Sequence, residues 1–293
     1  MKNFIFINYN INVDKIYYKN KNYFFYINNE KIIIIKYKGE ESYIKELFEL
    51  TNNLYYKNIL VNTFILNNDN NYFTKKDDFY IVLLKVNEYE NDISLNKLLL
   101  FNNISSNLKA FDLLKEWENE IDILENELIE YNKEYNDILN SVDYFIGMGE
   151  NAIELMYNYE NLISNNNNSI GHKLTYKLFD ENSLNNPFLF IKANRMYDIS
   201  NYIKYKFVLN DIDYNELDRI FTNLTEYEES YLFSCLMYPS VYFDIVKRVL
   251  LKEENEDKIK YFVNNIKKYT QLLSYCQNLV KNNDNIRLIT WLK

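Results

Sequence analysis

Glycine, proline, cysteine and histidine are scarce in this chain of 293 residues, at 4, 2, 2 and 1. Each shortage closes off a chemistry. A loop that covers phosphate needs glycines, so that backbone N–H groups can approach the oxygens. Residues 14–25, where a first hairpin would carry such a loop, contain none. The single histidine, His172, and the two cysteines, Cys235 and Cys276, lie too far apart in sequence to offer metal-ligand spacing, and no metal is expected. Asp211 and Asp213 open like a calcium loop but lack the glycine and the terminal Glu in register, so they read as a solvated pair at a helix start. A Ser–His–Asp or Cys–His site places its nucleophile on a strained turn with glycines beside it. No such turn is visible, and His172 reads as a structural hydrogen-bonding group. Both cysteines fall in helical apolar patterns, which points to core thiols in a reducing compartment.

Other absences concern surroundings. No apolar run reaches the ~18 residues of a membrane span, and the N-terminus has no small-residue cleavage site after its apolar stretch. Synthesis in the cytosol, with no transmembrane segment, is the expectation. A net charge of −9 argues against sequence-independent nucleic-acid binding, which rests on Lys and Arg neutralising phosphates. What is plentiful is aromatic: 29 tyrosines and 19 phenylalanines, within a hydrophobic content of 47% that no disordered chain carries. With abundant Asn, Lys and Ile, this looks like the imprint of an AT-rich genome, so single Asn and Tyr residues carry less functional meaning than elsewhere. The length allows one or two domains with a large core.

Along the chain, the first third reads as strands: Phe4 to Ile7, Ile16 to Tyr18, Tyr23 to Ile27 and Ile32 to Tyr37, with Asn28-Asn29-Glu30 as a hairpin turn. A helix is expected over Glu40 to Leu50, then strands over Ile59 to Leu66 and Phe79 to Val86 around a polar loop. From Ser94 onward the pattern is helical. Leu114, Trp117, Ile121, Leu124, Leu128, Tyr131, Tyr135 and Ile138 alternate steps of three and four, which predicts one long helix; it packs either within its own domain or on a coiled-coil partner. Ile259 to Val280 repeat the pattern. Asp213 with Glu216 and Thr225 with Glu228 have capping-box spacing, and Pro239 stops a helix. The whole is α+β and bilobal: a small β-rich lobe with one helix at residues 1–88, and a larger, mostly helical lobe at 89–293.

That arrangement follows a protein-kinase-like plan. Lys36, ending its strand, stands where such a fold keeps the lysine for the α/β-phosphates, and Glu46 or Glu49 on the next helix would be its partner. The plainer reading of Lys36 is a surface lysine at a strand end. Phe188 to Ile191 reads as a short buried strand, followed by a polar break at Lys192 to Arg195 and a helix carrying Ile199, Tyr202 and Ile203.

Three segments, Tyr144 to Ile153 (YFIGMGENAI), the YDISNYIKYKF helix from Tyr197, and Leu224 to Val246, resemble the bacterial spore-coat kinase-like family, most closely its YutH type, cousins of CotS. The closing Ile289 to Leu292 is similar too. The resemblance scatters from about Trp117 to the end and holds only in outline before that. The family is related to aminoglycoside phosphotransferases and choline kinases, whose catalytic loop reads His-Gly-Asp with Asn five further on. By resemblance His172 matches the loop histidine, while Leu174 stands in place of the catalytic aspartate and Phe179 in place of the metal-binding Asn. The metal-binding Asp should fall near Lys192 to Asn194, where there is no acid, and Asp198 matches a structural aspartate at a helix start.

Lys36, Glu46, Glu49, His172 and Asn194 are therefore read as remnants of a kinase site, with no catalytic residue, no metal and no cofactor, and Asp198 as structural. The resemblance implies a pseudokinase that is a structural or scaffold component of the spore coat or its assembly. Its partners would be other coat proteins, and it would bind no nucleic acid. The alternatives are an active small-molecule phosphotransferase with rearranged acids, using Asp180 or Glu181, and a non-catalytic nucleotide-binding module.

Overall fold

A computed structural model describes residues 1–19, 22–87, 94–130, 135–165, 171–177 and 185–292. The chain forms two compact units, residues 1–110 with 173–192, and residues 111–172 with 193–293. The boundary expected between residues 88 and 89 lies outside the described residues.

In the first unit the elements are α1 (Lys2–Tyr9), β1 (Tyr17–Lys19), β2 (Asn22–Ile27), β3 (Glu30–Tyr37), α2 (Glu41–Tyr56), β4 (Thr63–Ile65), β5 (Thr74–Lys76), β6 (Phe79–Lys85) and α3 (Leu95–Asn102). The strands run in the order β1-β2-β3-β6-β4, all antiparallel, with β5 also on β6. Asn28 and Asn29 both take positive φ, 48° and 67°, the two left-handed positions of a turn that twists with its hairpin. Alternation along β3 then sorts the core. Ile32 and Ile34 share one face with Phe25, Ile81 and Leu83, covered by Ile5, Tyr9 and Val13. Ile33 shares the other with Val82 and Leu84, covered by Ile44 of α2.

Phe4 to Ile7, expected as a strand, belong instead to α1. Four apolar residues in a row fit either period. The deciding contacts are Ile5 and Tyr9, one turn apart and both buried on the sheet, and Asn10 ends the helix in a left-handed conformation with its N–H on the Phe6 carbonyl. The strand expected over 59–66 shrinks to β4, because upstream of it the Asn62 N–H donates to the Asn185 carbonyl instead of a neighbouring strand. Residues 173–192 return to this unit as β7 (Lys173–Tyr176), a 3-10 turn (Pro187–Leu189) and β8 (Phe190–Ala193), whose last residue passes into the second unit.

The second unit is helical: α4 (Leu113–Glu130), α5 (Asn136–Leu139), α6 (Val142–Asn165), α7 (Met196–Val208), α8 (Tyr214–Thr222), α9 (Glu226–Met237), α10 (Ser240–Leu250) and α11 (Asp257–Leu279). Every residue of α9 from Ser230 to Met237 is buried, with α6 and α7 packed against it. Leu114, Trp117, Ile121 and Leu124 form a buried stripe on α4 as the seam requires, and the Trp117 ring stacks on Tyr238 at 4.2 Å. The seam does not continue as one helix. Tyr131 lies outside the described residues, and Tyr135 is extended (φ −128°, ψ 93°), leading into α5. The Glu256 carboxylate accepts the N–H groups of Asp137 and Ile138 and so holds that short helix from outside. Gly149 of α6 is needed for close approach: a Cβ there would stand 2.9 Å from Ile121 Cδ1 and 3.3 Å from the Phe243 ring.

Thr225 and Glu228 form the reciprocal capping box. Asp213 caps α8 alone, since Glu216 instead accepts from the Tyr202 hydroxyl at 3.1 Å. Cys235 and Cys276 are free and buried. Among the described residues no helix is long and apolar enough to cross a membrane.

Candidate functional site

Lys36 is exposed on β3 with its ammonium 4.6 Å over the Tyr23 ring, a cation–π contact. By alternation it shares the face of Ile32 and Ile34, the α1 side of the sheet, whereas α2 covers the other. The structure therefore does not bring Lys36 to Glu46 or Glu49. Glu46 is half-buried and Glu49 exposed. Burial pushes the Tyr43 hydroxyl up to about 12, with Tyr37 and Glu46 adding to it. Toward α2, β3 presents Ile33, Ile35 and Tyr37. Tyr37 stacks on Tyr43 at 5.4 Å, and Phe188 packs into the same cluster, 5.7 Å from Tyr37 and 6.2 Å from Phe64. Where a phosphotransferase of this plan sets a lysine–glutamate ion pair, this chain has aromatic packing.

His172 and Lys173 are exposed as the chain enters β7, and Leu174 is fully buried. The Leu174 carbonyl accepts from the Asn102 side-chain amide at 2.9 Å. Tyr176 stacks on Phe101 at 4.1 Å, with Phe190 edge-on at 5.0 Å to the Phe101 ring. Asn186 supplies an oxygen to the Phe188 N–H at 3.1 Å and so starts the 3-10 turn that delivers Phe188. The aspartate position of the resembled motif is thus a core position of a strand. Phe179, Asp180 and Glu181 lie outside the described residues.

At the end of β8, Lys192 is half-exposed, Ala193 is 1% exposed and Asn194 is 3% exposed. Both ends of the Asn194 amide are engaged. Its Oδ1 accepts from the Met196 N–H at 3.0 Å, and its Nδ2 donates to the Tyr159 hydroxyl at 3.3 Å. Burial raises the Tyr159 hydroxyl far above its usual range, so it stays neutral. Asp198 follows in the first turn of α7 and is fully buried, where the positive end of the helix favours a carboxylate. The Arg195 guanidinium holds Glu228 at 2.7 Å, joining the start of α7 to the capping box of α9.

The structure thus gathers Asn194 and Asp198 at one helix start and separates Lys36 from the acids of α2. Tyr159, Asn102 and Phe188 are the contributors that the sequence did not single out. Nothing marks Asn102 or Tyr159 among so many Asn and Tyr, and Phe188 reads as ordinary strand core.

An aminoglycoside phosphotransferase from Alicyclobacillus acidocaldarius subsp. acidocaldarius DSM 446 superposes with a TM-score of 0.64 at 10% identity, over 94% of each chain. A spectinomycin phosphotransferase in complex with ADP and spectinomycin gives 0.58 at 11%, covering 97% of this chain and 98% of its own. Identities so low speak to the fold alone, and that fold is the protein-kinase-like one. Among curated proteins none matches the sequence. The family described as "Spore coat putative kinase YutH" matches residues 2–282, nearly the whole length, and the chain belongs to that family.

Proposed function

We propose that this protein serves the bacterial spore coat, or its assembly, as a structural component with a kinase-like fold that transfers no phosphate. It would be made in the cytosol and deposited on the developing spore, with other coat proteins as its partners. The observation that carries the reading is the strand end at Lys192 to Asn194. It offers no carboxylate, and Asn194, its one oxygen-bearing side chain, is occupied in starting α7.

Phosphoryl transfer relies on magnesium held by carboxylates and on a base that orients the nucleophile. The residues at that strand end do not fit magnesium, and a buried leucine stands where the resemblance puts the base. Losing one such electrostatic element commonly lowers a rate by ~10²–10³, so losses together leave nothing measurable. The fold itself does not depend on them. Lys36, Glu46, Glu49, His172 and Asn194 are on this reading remnants, and Asp198 keeps a structural task.

The test is incubation of the purified protein with ATP or GTP and magnesium over a panel of small-molecule acceptors. No product and no ATP-induced rise in Tm are expected. Turnover that vanishes in Asp180→Ala would establish an active enzyme with rearranged acids, and an ATP-induced rise in Tm without turnover would establish a nucleotide-binding module.

A further inference from the structure

Charge is divided unevenly along this chain. Residues 111–172 hold 14 acidic residues against 2 basic ones, while residues 193–293 hold 14 of each. The first unit carries 17 lysines against 14 acids. The negative excess therefore belongs to one segment, and the first unit is left positive.

Within the acidic segment, Glu118, Asp122 and Glu125 follow one another at steps of four and three, which sets them in one line down α4. Asp122 and Glu125 are exposed, and among the described residues no cation pairs with any of the three. Helix α6 packs beside α4 and contains no Lys or Arg. Its Tyr157 hydroxyl donates to Glu118. Burial, together with Asp112 and Glu118, holds the Glu160 carboxyl of α6 above its usual range, so the acids crowd one another. A line of acids by itself is ordinary solvated surface. A matching surface elsewhere in the same chain gives this one a partner.

That surface is the sheet edge of the first unit. Strand β1 ends the strand order, and Tyr18 stands opposite Tyr23 of β2. Their rings lie 4.8 Å apart, yet the two residues stay 58% and 39% exposed, on the face that also carries Lys36. The Lys36 ammonium sits 4.6 Å over the Tyr23 ring, and Lys15 sits 5.0 Å over Tyr17 of the same edge strand. Both lysines are exposed, and among the described residues neither is in an ion pair. Exposed tyrosines flanked by cations are the composition of a contact surface, with aromatic area for affinity and charge for choice of partner.

We propose that copies of this chain join head to tail, the Tyr18–Tyr23–Lys36 face of one seated on the Glu118–Asp122–Glu125 line of the next. The two surfaces differ, so each copy keeps one of each unfilled and the contact can repeat beyond a pair. The inference rests on charge and exposure and is independent of whether the chain transfers phosphate.

The test follows the mass of the full-length protein by sedimentation up to about 100 μM. It compares roughly 0.01 M with about 1 M salt, between which the screening length falls from about 30 Å to about 3 Å. Assemblies larger than two copies are expected in low salt and single copies in high salt. Tyr18→Ser with Lys36→Gln disables one surface, and Asp122→Asn with Glu125→Gln the other. Each double variant alone should associate at least about 10-fold more weakly. Mixed, the two variants should form one-to-one pairs that grow no further, which an unfolded variant could not do. Single copies at every concentration in low salt would leave both surfaces to other partners and overturn the proposal. So would a pair that never grows, assembly indifferent to salt, loss in only one of the double variants, or a mixture that does not pair.

Discussion

The two units bury polar groups of different kinds. In the first, the buried polar side chains among the described residues are Thr51, Asn62, Asn67, Asn102, Thr175 and Asn186, all of them neutral. In the second they include Asp198 and Lys204, one acid and one base, alongside Asn194, Ser200 and Ser234. A neutral amide or hydroxyl needs one partner to be tolerated inside, whereas an ionised group needs a partner and compensating charge. The first unit has therefore settled as a simple core. Ile33, Ile35, Phe188 and Leu174 are held in it by packing. The second unit keeps ionisable groups, Asp198 and Lys204, in its interior.

The contrast breaks most visibly at Leu174. Putting the motif's acid back, as Leu174→Asp, places a carboxylate at a fully buried strand position, and should cost at least about 3 kcal/mol. Denaturant melts should show the loss, and no phosphotransfer should appear. A variant that stays folded and gains turnover would mean that the site was only one substitution from activity.

The Lys204 ammonium comes next. Burial lowers its pKa from 10.5 to about 8, outweighing the opposing pull of Cys235 and Glu120. Between those values the unfolded chain binds more protons than the folded one, so stability rises with pH through that window and falls as pH drops through 8. The span is worth up to about 3 kcal/mol at roughly 1.4 kcal/mol per unit. Lys204→Met lacks this dependence, so its stability relative to the parent should be greatest at pH 7 and shrink toward pH 9.5. A difference between the two proteins that stays constant over that range rules out the buried ammonium.

Phe188→Ala sharpens the contrast from the other side. It removes the ring shared by Tyr37, Tyr43 and Phe64 and should cost about 2–3 kcal/mol, somewhat less than a fully buried aromatic, with no dependence on pH. A change below about 0.5 kcal/mol would show that the aromatic cluster closes up without it. The smallest effect is expected at Asp198, where Ala should cost about 1–2 kcal/mol and Asn should recover part of that, since an amide oxygen still accepts. An unchanged Tm for Asp198→Ala would sink its structural role.

Local chemistry made much of this molecule legible in advance. The Asn28-Asn29 hairpin, the Thr225–Glu228 capping box and the free core thiols follow from residues that act on their immediate neighbours. Phe4 to Ile7 was opaque because the residues that decide its helix, Ile5 and Tyr9, do so only against a sheet formed later in the chain. For Lys36 the sequence shows the alternation of its strand, but which face α2 covers is settled by packing. Lys204 drew no attention because a lysine is read as surface by default. Its signal was the helix around it, in which Met196, Ile199, Tyr202, Ile203 and Phe207 leave little room for a polar face.

The left-handed turns have one more consequence. Every described residue at positive φ is Asn, Asp or Lys: Asn10, Asn28, Asn29, Asn58, Asn70, Asp77, Asn210 and Lys252, with no glycine among them. Asparagine reaches this region more readily than most residues, at a modest strain that glycine would avoid. In return it has fewer conformations to lose on folding, which offsets part of that strain. An asparagine-rich composition therefore does not by itself loosen the loops. It supplied a chain of 4 glycines with turns that are stiffer before folding than glycine turns would be.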